Sequence, residues 1–335
     1  MSASIHPKDV LFHAEKPIPA LPAVDHYCGS EKLIRKALAL QASMAGPGGA
    51  LFDVTCDCED GAPAGREAEH AAMCADLINS DENRYGRAGL RIHDVTHAHW
   101  RADLEIVIPR AGRRLPFVTL PKPRSAADVR AQIAGLRELE ARHGLPGTIP
   151  LHVLIETHGA LAEVQQIAAI PGVESIDFGL MDFVSAHHGA IPGSAMQSPG
   201  QFEHPLVVRA KCEIAAAALA HGVVPTHNVT TELGDTAAIH ADALRARQQF
   251  GYLRMWSIHP NQIKPILDAM RPGSDEVELA TAILAAAQDA SWGPIRHGGK
   301  LHDRASYRYY WETLERARTT GVALPELAVQ RFFAG

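Results

Sequence analysis

The sequence predicts an α/β protein, a (β/α)₈ TIM barrel with a C-terminal helical extension. Three observations carry this. Eight strand-like apolar runs recur along the chain, helical patterns fill the gaps between them, and no Gly-rich phosphate turn follows the first run. Strands that alternate with helices pair in parallel, because parallel neighbours need long crossovers. Eight such units suggest closure. The competing open doubly wound sheet usually carries the missing glycine signature.

The strand-like runs lie at 9–14, 50–61, 89–95, 115–123, 149–157, 175–184, 222–230 and 252–260. The helices between them are plainer. Ser125 can cap a helix in which Val129, Ile133, Leu136 and Leu139 recur at three- or four-residue spacing, and Gly144 closes it. The same periodicity marks 159–170, where Leu161, Val164, Ile167 and Ala168 recur, and a helix is also expected from 204 to Gly222. Ser274 precedes a helix with Asp275 and Glu276 in its first turn, where the helix dipole favours acids. Residues 1–270 are therefore assigned to the barrel and 271–335 to the extension. In that extension Tyr307, Tyr309, Tyr310 and Trp311 read as packing or interface residues.

Composition narrows the function. The chain has 335 residues, 46% of them hydrophobic, enough for a large core. Its 32 Lys and Arg against 38 Asp and Glu give a net charge of −6, without a basic stripe, so no nucleic-acid partner is expected. No membrane span or secretory pattern is visible, which predicts a soluble, cytoplasmic protein without a membrane partner. Five cysteines, Cys28, Cys56, Cys58, Cys74 and Cys212, do not suggest a disulfide framework. Cys56 and Cys58 alternate along a strand and share a face, but a thiolate metal site would need further soft ligands. They read as structural.

In a parallel barrel, functional groups gather at the C-terminal strand ends. There the second run carries Asp57, Glu59 and Asp60, the third Arg91, the fourth Lys122, the fifth Glu156, the sixth Asp182, and the eighth His259 before Pro260. Charged groups beside apolar strands are costly to bury unless paired or metal-bound. Glu156 and Asp182 lie about one strand–helix–strand unit apart and should face one mouth. Two such carboxylates suit Mg²⁺, which prefers oxygen ligands. Helix capping or pairing with Arg is the alternative, and spacing alone leaves both open. Arg91 can clamp a substrate carboxylate or pair with Glu59 or Asp60. The same ambiguity attaches to Lys122. His259 reads as a buried hydrogen-bonding residue.

Taken in order, these segments resemble the HpcH/HpaI aldolase and citrate lyase β-subunit family, especially its citrate lyase β-like and malyl-CoA lyase branch. The resemblance rests on Asp57-Cys58-Glu59-Asp60-Gly61, Leu90-Arg91-Ile92-His93, Leu120-Pro121-Lys122 and Leu154-Ile155-Glu156-Thr157. It continues through Phe178-Gly179-Leu180-Met181-Asp182 and Ser257-Ile258-His259-Pro260-Asn261-Gln262-Ile263. It implies Glu156 and Asp182 as ligands of Mg²⁺, with Mn²⁺ as a second occupant. It also implies Arg91 as a catalytic and substrate-binding cation, with Lys122, Glu59 and Asp60 near the substrate. Gly299-Lys300-Leu301-His302-Asp303 is similar to the family's lid element, which implies Asp303 as a general acid/base acting in a neighbouring subunit. A helix N-cap is the alternative role for Asp303. The resemblance thus implies a homo-oligomer, trimeric or a multiple of three.

The implied reaction is carbon–carbon cleavage of a 3-hydroxyacyl thioester, of the citryl-CoA or malyl-CoA type, into a 2-oxo acid and an acyl thioester. The pattern departs at Arg254-Met255, where the family often has Gly-Lys, and His227 stands where an Asp is usual. These departures leave coenzyme A recognition open, with Arg254 or Arg66 as substitutes for the lost contacts. Two alternatives follow: a 2-oxo acid aldolase that needs no coenzyme A, and a non-catalytic barrel that binds metal and oxo acid.

Overall fold

The computed structural model describes residues 5–12, 18–46 and 48–334. Eight parallel strands close into a barrel in chain order. They are β1 (Val24–Cys28), β2 (Phe52–Asp57), β3 (Ala88–Arg91), β4 (Val118–Leu120), β5 (Leu151–Ile155), β6 (Val173–Phe178), β7 (Val224–His227) and β8 (Arg254–Ser257). Closure is made where Val24 of β1 pairs with Met255 of β8.

The first strand differs from the sequence expectation. Residues Pro7–Leu11 form a short helix, with Pro7 in its first turn and the His6 ring accepting from the Lys8 N–H. Pro suits that first turn, where an N–H would lack a helical partner anyway. Residues 13 and 14 lie outside those described. The true first strand, Val24–Cys28, alternates Val24, His26 and Cys28 with Asp25 and Tyr27. The expected helix at 159–170 is also two pieces, His158–Ala162 and Val164–Ala168, parted at Glu163. The carboxylate of Glu163 accepts from the Ala126 N–H.

The barrel wall has two contrasting faces. Its outer face is apolar: Val54, Leu90, Val153, Ile176 and Met255 are buried in one core with helix residues such as Ile34, Val129 and Ile263. Its inner face is polar. Arg254 pairs with Asp53 and, at 3.2 Å, with Asp25, while Arg87 grips Asp53 through two bonds of 2.6 and 2.8 Å. Thr55 donates to Asp25 at 2.7 Å, and Phe117 stacks on His152. Side chains alternate along a strand, so the next inward residues after Asp25, Arg254 and His152 are Tyr27, Trp256 and Leu154. These three pack together, with the Tyr27 and Trp256 rings stacked 3.8 Å apart.

The chain divides into two units. The barrel unit spans Leu21–Ala45 and Gly49–Met270. The other combines Arg271–Gly335 with the N-terminal residues to Ala20 and the 46–48 segment. Its helices Ser274–Asp289 and Arg304–Thr319 share a core of Val277, Ile283, Leu284, Tyr307, Trp311 and Leu314. Tyr309 is exposed. Strands β9 (Ile295–His297) and β10 (Lys300–His302) form an antiparallel hairpin in this unit. Among the described residues no helix is long and apolar enough to cross a membrane.

Candidate metal and substrate site

The structure brings Arg91, Glu59, Asp60, Lys122, Glu156 and Asp182 together at the C-terminal mouth of the barrel. The organiser is Asp57, the last residue of β2. Arg91, the last residue of β3, donates to both its carboxylate oxygens, from Nε at 2.7 Å and Nη2 at 2.6 Å. The backbone N–H groups of Glu59 and Gly61 donate to the same carboxylate at 3.0 and 2.8 Å. Burial alone would raise this carboxyl. The Arg91 fork and the two N–H groups outweigh it and hold Asp57 below the usual carboxylate range. A Cβ on Gly61 would come 2.4 Å from Asp57 Oδ2, so the turn closes on the carboxylate because glycine stands there.

Arg91 is therefore a positioned cation. Its Nη1 reaches Glu59 at 3.0 Å, and its guanidinium lies 5.0 Å over the Tyr27 ring. The guanidinium has more N–H groups than these acceptors use, so it keeps capacity for an anion.

Lys122 adopts φ +47°, a left-handed conformation that non-glycine residues rarely take. This turn aims both ends of the residue at acids. Its N–H donates to Glu156 Oε1 at 2.6 Å, and its ammonium lies 2.6 Å from Glu59, 2.7 Å from Asp60 and 3.8 Å from Asp182. Burial lowers the pKa of the ammonium, but Asp60 and Glu59 prevail and hold its proton well above the usual range. Glu59 itself stays raised, by burial against the opposing pull of Arg91 and Lys122.

Glu156 is the most strained charge. It is buried, and burial followed by the nearby Asp182 pushes its carboxyl up to about 8. Gly179, which precedes the helix Leu180–Ser185 carrying Asp182, would place a Cβ 2.2 Å from Glu156 Oε2. Five carboxylates thus face two cations at this mouth. A hard divalent cation fits that donor set: two carboxylates that raise each other's energy, one buried and one half-exposed, on adjacent strand ends.

Asp303 belongs to the other unit. There its carboxylate caps the helix Arg304–Thr319, accepting from the Ala305 N–H at 3.0 Å. His259 is half-buried rather than buried, and its ring accepts from the Asn261 N–H at 3.2 Å. Arg254 is not available to a substrate arm. It is 1% exposed and tied to Asp25 and Asp53 inside the barrel. Arg66 is exposed and pairs with Glu69. His227 is buried against Lys211 and Asn228.

Sequence reasoning missed the Asp57 fork and the Tyr27–Trp256 layer below it. The Tyr27 hydroxyl and Trp256 indole N–H are buried without a hydrogen-bond partner among the described residues. The signal for Tyr27 was present in the alternation of 24–28, between Pro22 and Gly29.

The chain is similar to known proteins. A family model for the HpcH/HpaI aldolase/citrate lyase family matches residues 35–260. The crystal structure of a citrate lyase from Burkholderia xenovorans LB400 is 53% identical, with a TM-score of 0.86, covering 98% of this chain and 100% of its own. An L-malyl-CoA/beta-methylmalyl-CoA lyase from Rhodobacter capsulatus is 29% identical over 238 residues, 68% of this chain and 74% of its own. CitE from Mycobacterium tuberculosis, solved with magnesium, acetoacetate and coenzyme A, is 23% identical with a TM-score of 0.66, covering 89% of this chain and 98% of its own. That last likeness concerns the fold. Barrel and relatives together define a carbon–carbon lyase. The chain belongs to the HpcH/HpaI aldolase/citrate lyase family.

Proposed function

We propose that this protein is a Mg²⁺-dependent lyase that splits a 3-hydroxyacyl-CoA thioester into a 2-oxo acid and an acyl-CoA. The observation that carries the reading is the meeting of Glu156 and Asp182 with Arg91 and Lys122 at one barrel mouth. The lyase names of the relatives support the thioester. Glu156 and Asp182 would hold the cation. When bound, it would supply Lewis acidity toward the oxo acid's oxygens.

The chain's own groups have separate tasks. Asp57 and Glu59 orient Arg91, whose remaining N–H groups face negative charge that develops on the substrate. Lys122 neutralises Glu59 and Asp60 and turns its backbone N–H toward Glu156. In cleavage, the substrate hydroxyl loses its proton, the bond between C2 and C3 breaks, and C3 becomes the carbonyl of the oxo acid. The thioester leaves as an enolate and takes up a proton at C2. Asp303 from a neighbouring copy is the proposed acid/base group, which makes the active form an oligomer, trimeric or a multiple of three.

The aldolase alternative drew on Arg254-Met255. Arg254 is buried inside the barrel and Met255 in the core outside its wall, so neither side chain is exposed. Malyl-CoA cleavage, followed by glyoxylate release with and without chelator, tests the reading. Full activity in excess chelator or in Glu156→Gln sinks it. Mixing Glu156→Gln with Asp303→Asn, each inactive alone, should restore partial turnover in mixed oligomers. No recovery would remove Asp303 from its role in a neighbouring copy.

A further inference from the structure

We propose that Cys58, His70 and Cys74 form a second metal site on the outer face of the barrel wall, selective for a thiophilic cation of the Zn²⁺ class. Cys58 lies just beyond β2, at a position that faces away from the barrel interior. The helix Glu67–Asn79 crosses that face, and His70 and Cys74 are four residues apart on it, so they share one side. The cysteines read as structural in sequence because soft partners were lacking. This helix supplies two.

The geometry supplies three corners of a tetrahedral centre. Ligand atoms of Cys58, His70 and Cys74 all lie within 4.8 Å of one another. The sulfurs of Cys58 and Cys74 are 4.0 Å apart. A tetrahedron with Zn–S bonds of about 2.3 Å has edges of about 3.8 Å. All three residues are buried, with exposures of 0 to 7%. His70 Nε2 lies 2.8 Å from the carbonyl oxygen of Asp57. A carbonyl only accepts, so Nε2 carries the proton and Nδ1 the lone pair. Metal-bound imidazoles are usually oriented by such a bond.

Thiolates and imidazole discriminate against Mg²⁺, which prefers oxygen. Each cysteine would bind as a thiolate and release its proton to solvent. The centre would fasten the turn carrying Asp57 and Glu59 to the helix behind it. It would therefore hold the residues that orient Arg91.

The test uses the full chain, stripped of metal under reducing conditions and saturated with Mg²⁺. Titration with Co²⁺ should raise a thiolate charge-transfer band in the near ultraviolet, with tetrahedral visible bands, saturating near about one equivalent per chain. Zn²⁺ should abolish it. Cys74→Ser and His70→Ala should each weaken Co²⁺ binding by about tenfold or more, while Asp182→Asn leaves the band unchanged. Co²⁺ binding without a charge-transfer band, or a band that persists in Cys74→Ser, overturns the site. If the variants do not fold, the wild-type titration decides alone.

Discussion

The barrel holds two acid-rich regions separated by the Tyr27–Trp256 layer, and they treat charge in opposite ways. Below that layer, Asp25, Asp53 and Asp177 are fully buried, beside a buried Arg254 and a partly buried Arg87, and burial is the main cause that raises Asp25 to about 6 and Asp177 to about 7. Above it, Glu156 is buried as deeply, yet its neighbours Asp182 and Lys122 reach solvent. The interior answers excess negative charge with arginine and protons. The mouth keeps an opening through which a cation can enter. Burial of acids alone therefore does not separate the two regions; a half-exposed partner beside the buried acid does.

The largest expected contrast is between Glu156→Gln and Arg254→Met. Glu156→Gln should cut kcat by about 10³-fold or more, equivalent to about 4 kcal/mol, with stability preserved. Arg254→Met strands buried carboxylates and should cost about 3–5 kcal/mol in denaturant titration, with turnover per folded molecule roughly intact. Equal losses of kcat in the two variants would erase the distinction between the regions.

Acidity sharpens it next. In the metal-free protein the folded pKa of Glu156 is raised from 4.5 to about 8. Between those values the unfolded chain is ionised while the folded one keeps its proton, so this group's contribution to stability falls as pH rises. Asp25 and Asp177 act with the same sign from 3.8 to about 6 and about 7. If Glu156 holds Mg²⁺ as proposed, the cation competes with its proton, so Mg²⁺ affinity should strengthen from pH 6 and level off above about 8. Calorimetric titration across that range checks this. A flat profile would mean that Glu156 is not a ligand. Added Mg²⁺ should relieve the share of the stability loss that comes from the mouth and leave the interior's share.

A smaller effect attends Lys122. Lys122→Ala and Lys122→Gly both remove the ammonium, but glycine accepts φ +47° without strain. Lys122→Gly should be the more stable of the two by about 1 kcal/mol in thermal or chemical melts. The smallest concerns the other unit, where Asp303→Ala should lose about 1 kcal/mol of helix capping that Asp303→Asn retains.

Legibility in the sequence followed physical exposure. Strands with apolar outer faces, such as 151–155 and 173–178, announced themselves, and Glu156 and Asp182 were readable because a charge follows an apolar run. Strand β1 was obscure because half of it is an inward Asp25 and Tyr27, which read as polar interruption rather than pattern. Arg254 was misplaced for the same reason. From sequence, an arginine on a strand looks like a ligand for something outside, and only closure of the barrel reveals that its partners are Asp25, on β1 beside it, and Asp53, on β2 one strand further. Asp57 was visible as an acid at a strand end, but its grip on Arg91 depends on the register of β2 and β3, which pairs the two residues directly.

Gly179 leaves a mark on how this chain can change through descent. With no Cβ there, Glu156 occupies space that any other residue would fill. Positions 156 and 179 should therefore drift together or not at all. A lineage that acquires alanine at 179 must shorten the acid at 156 or abandon it, and lineages that abandon it should shed glycine soon after.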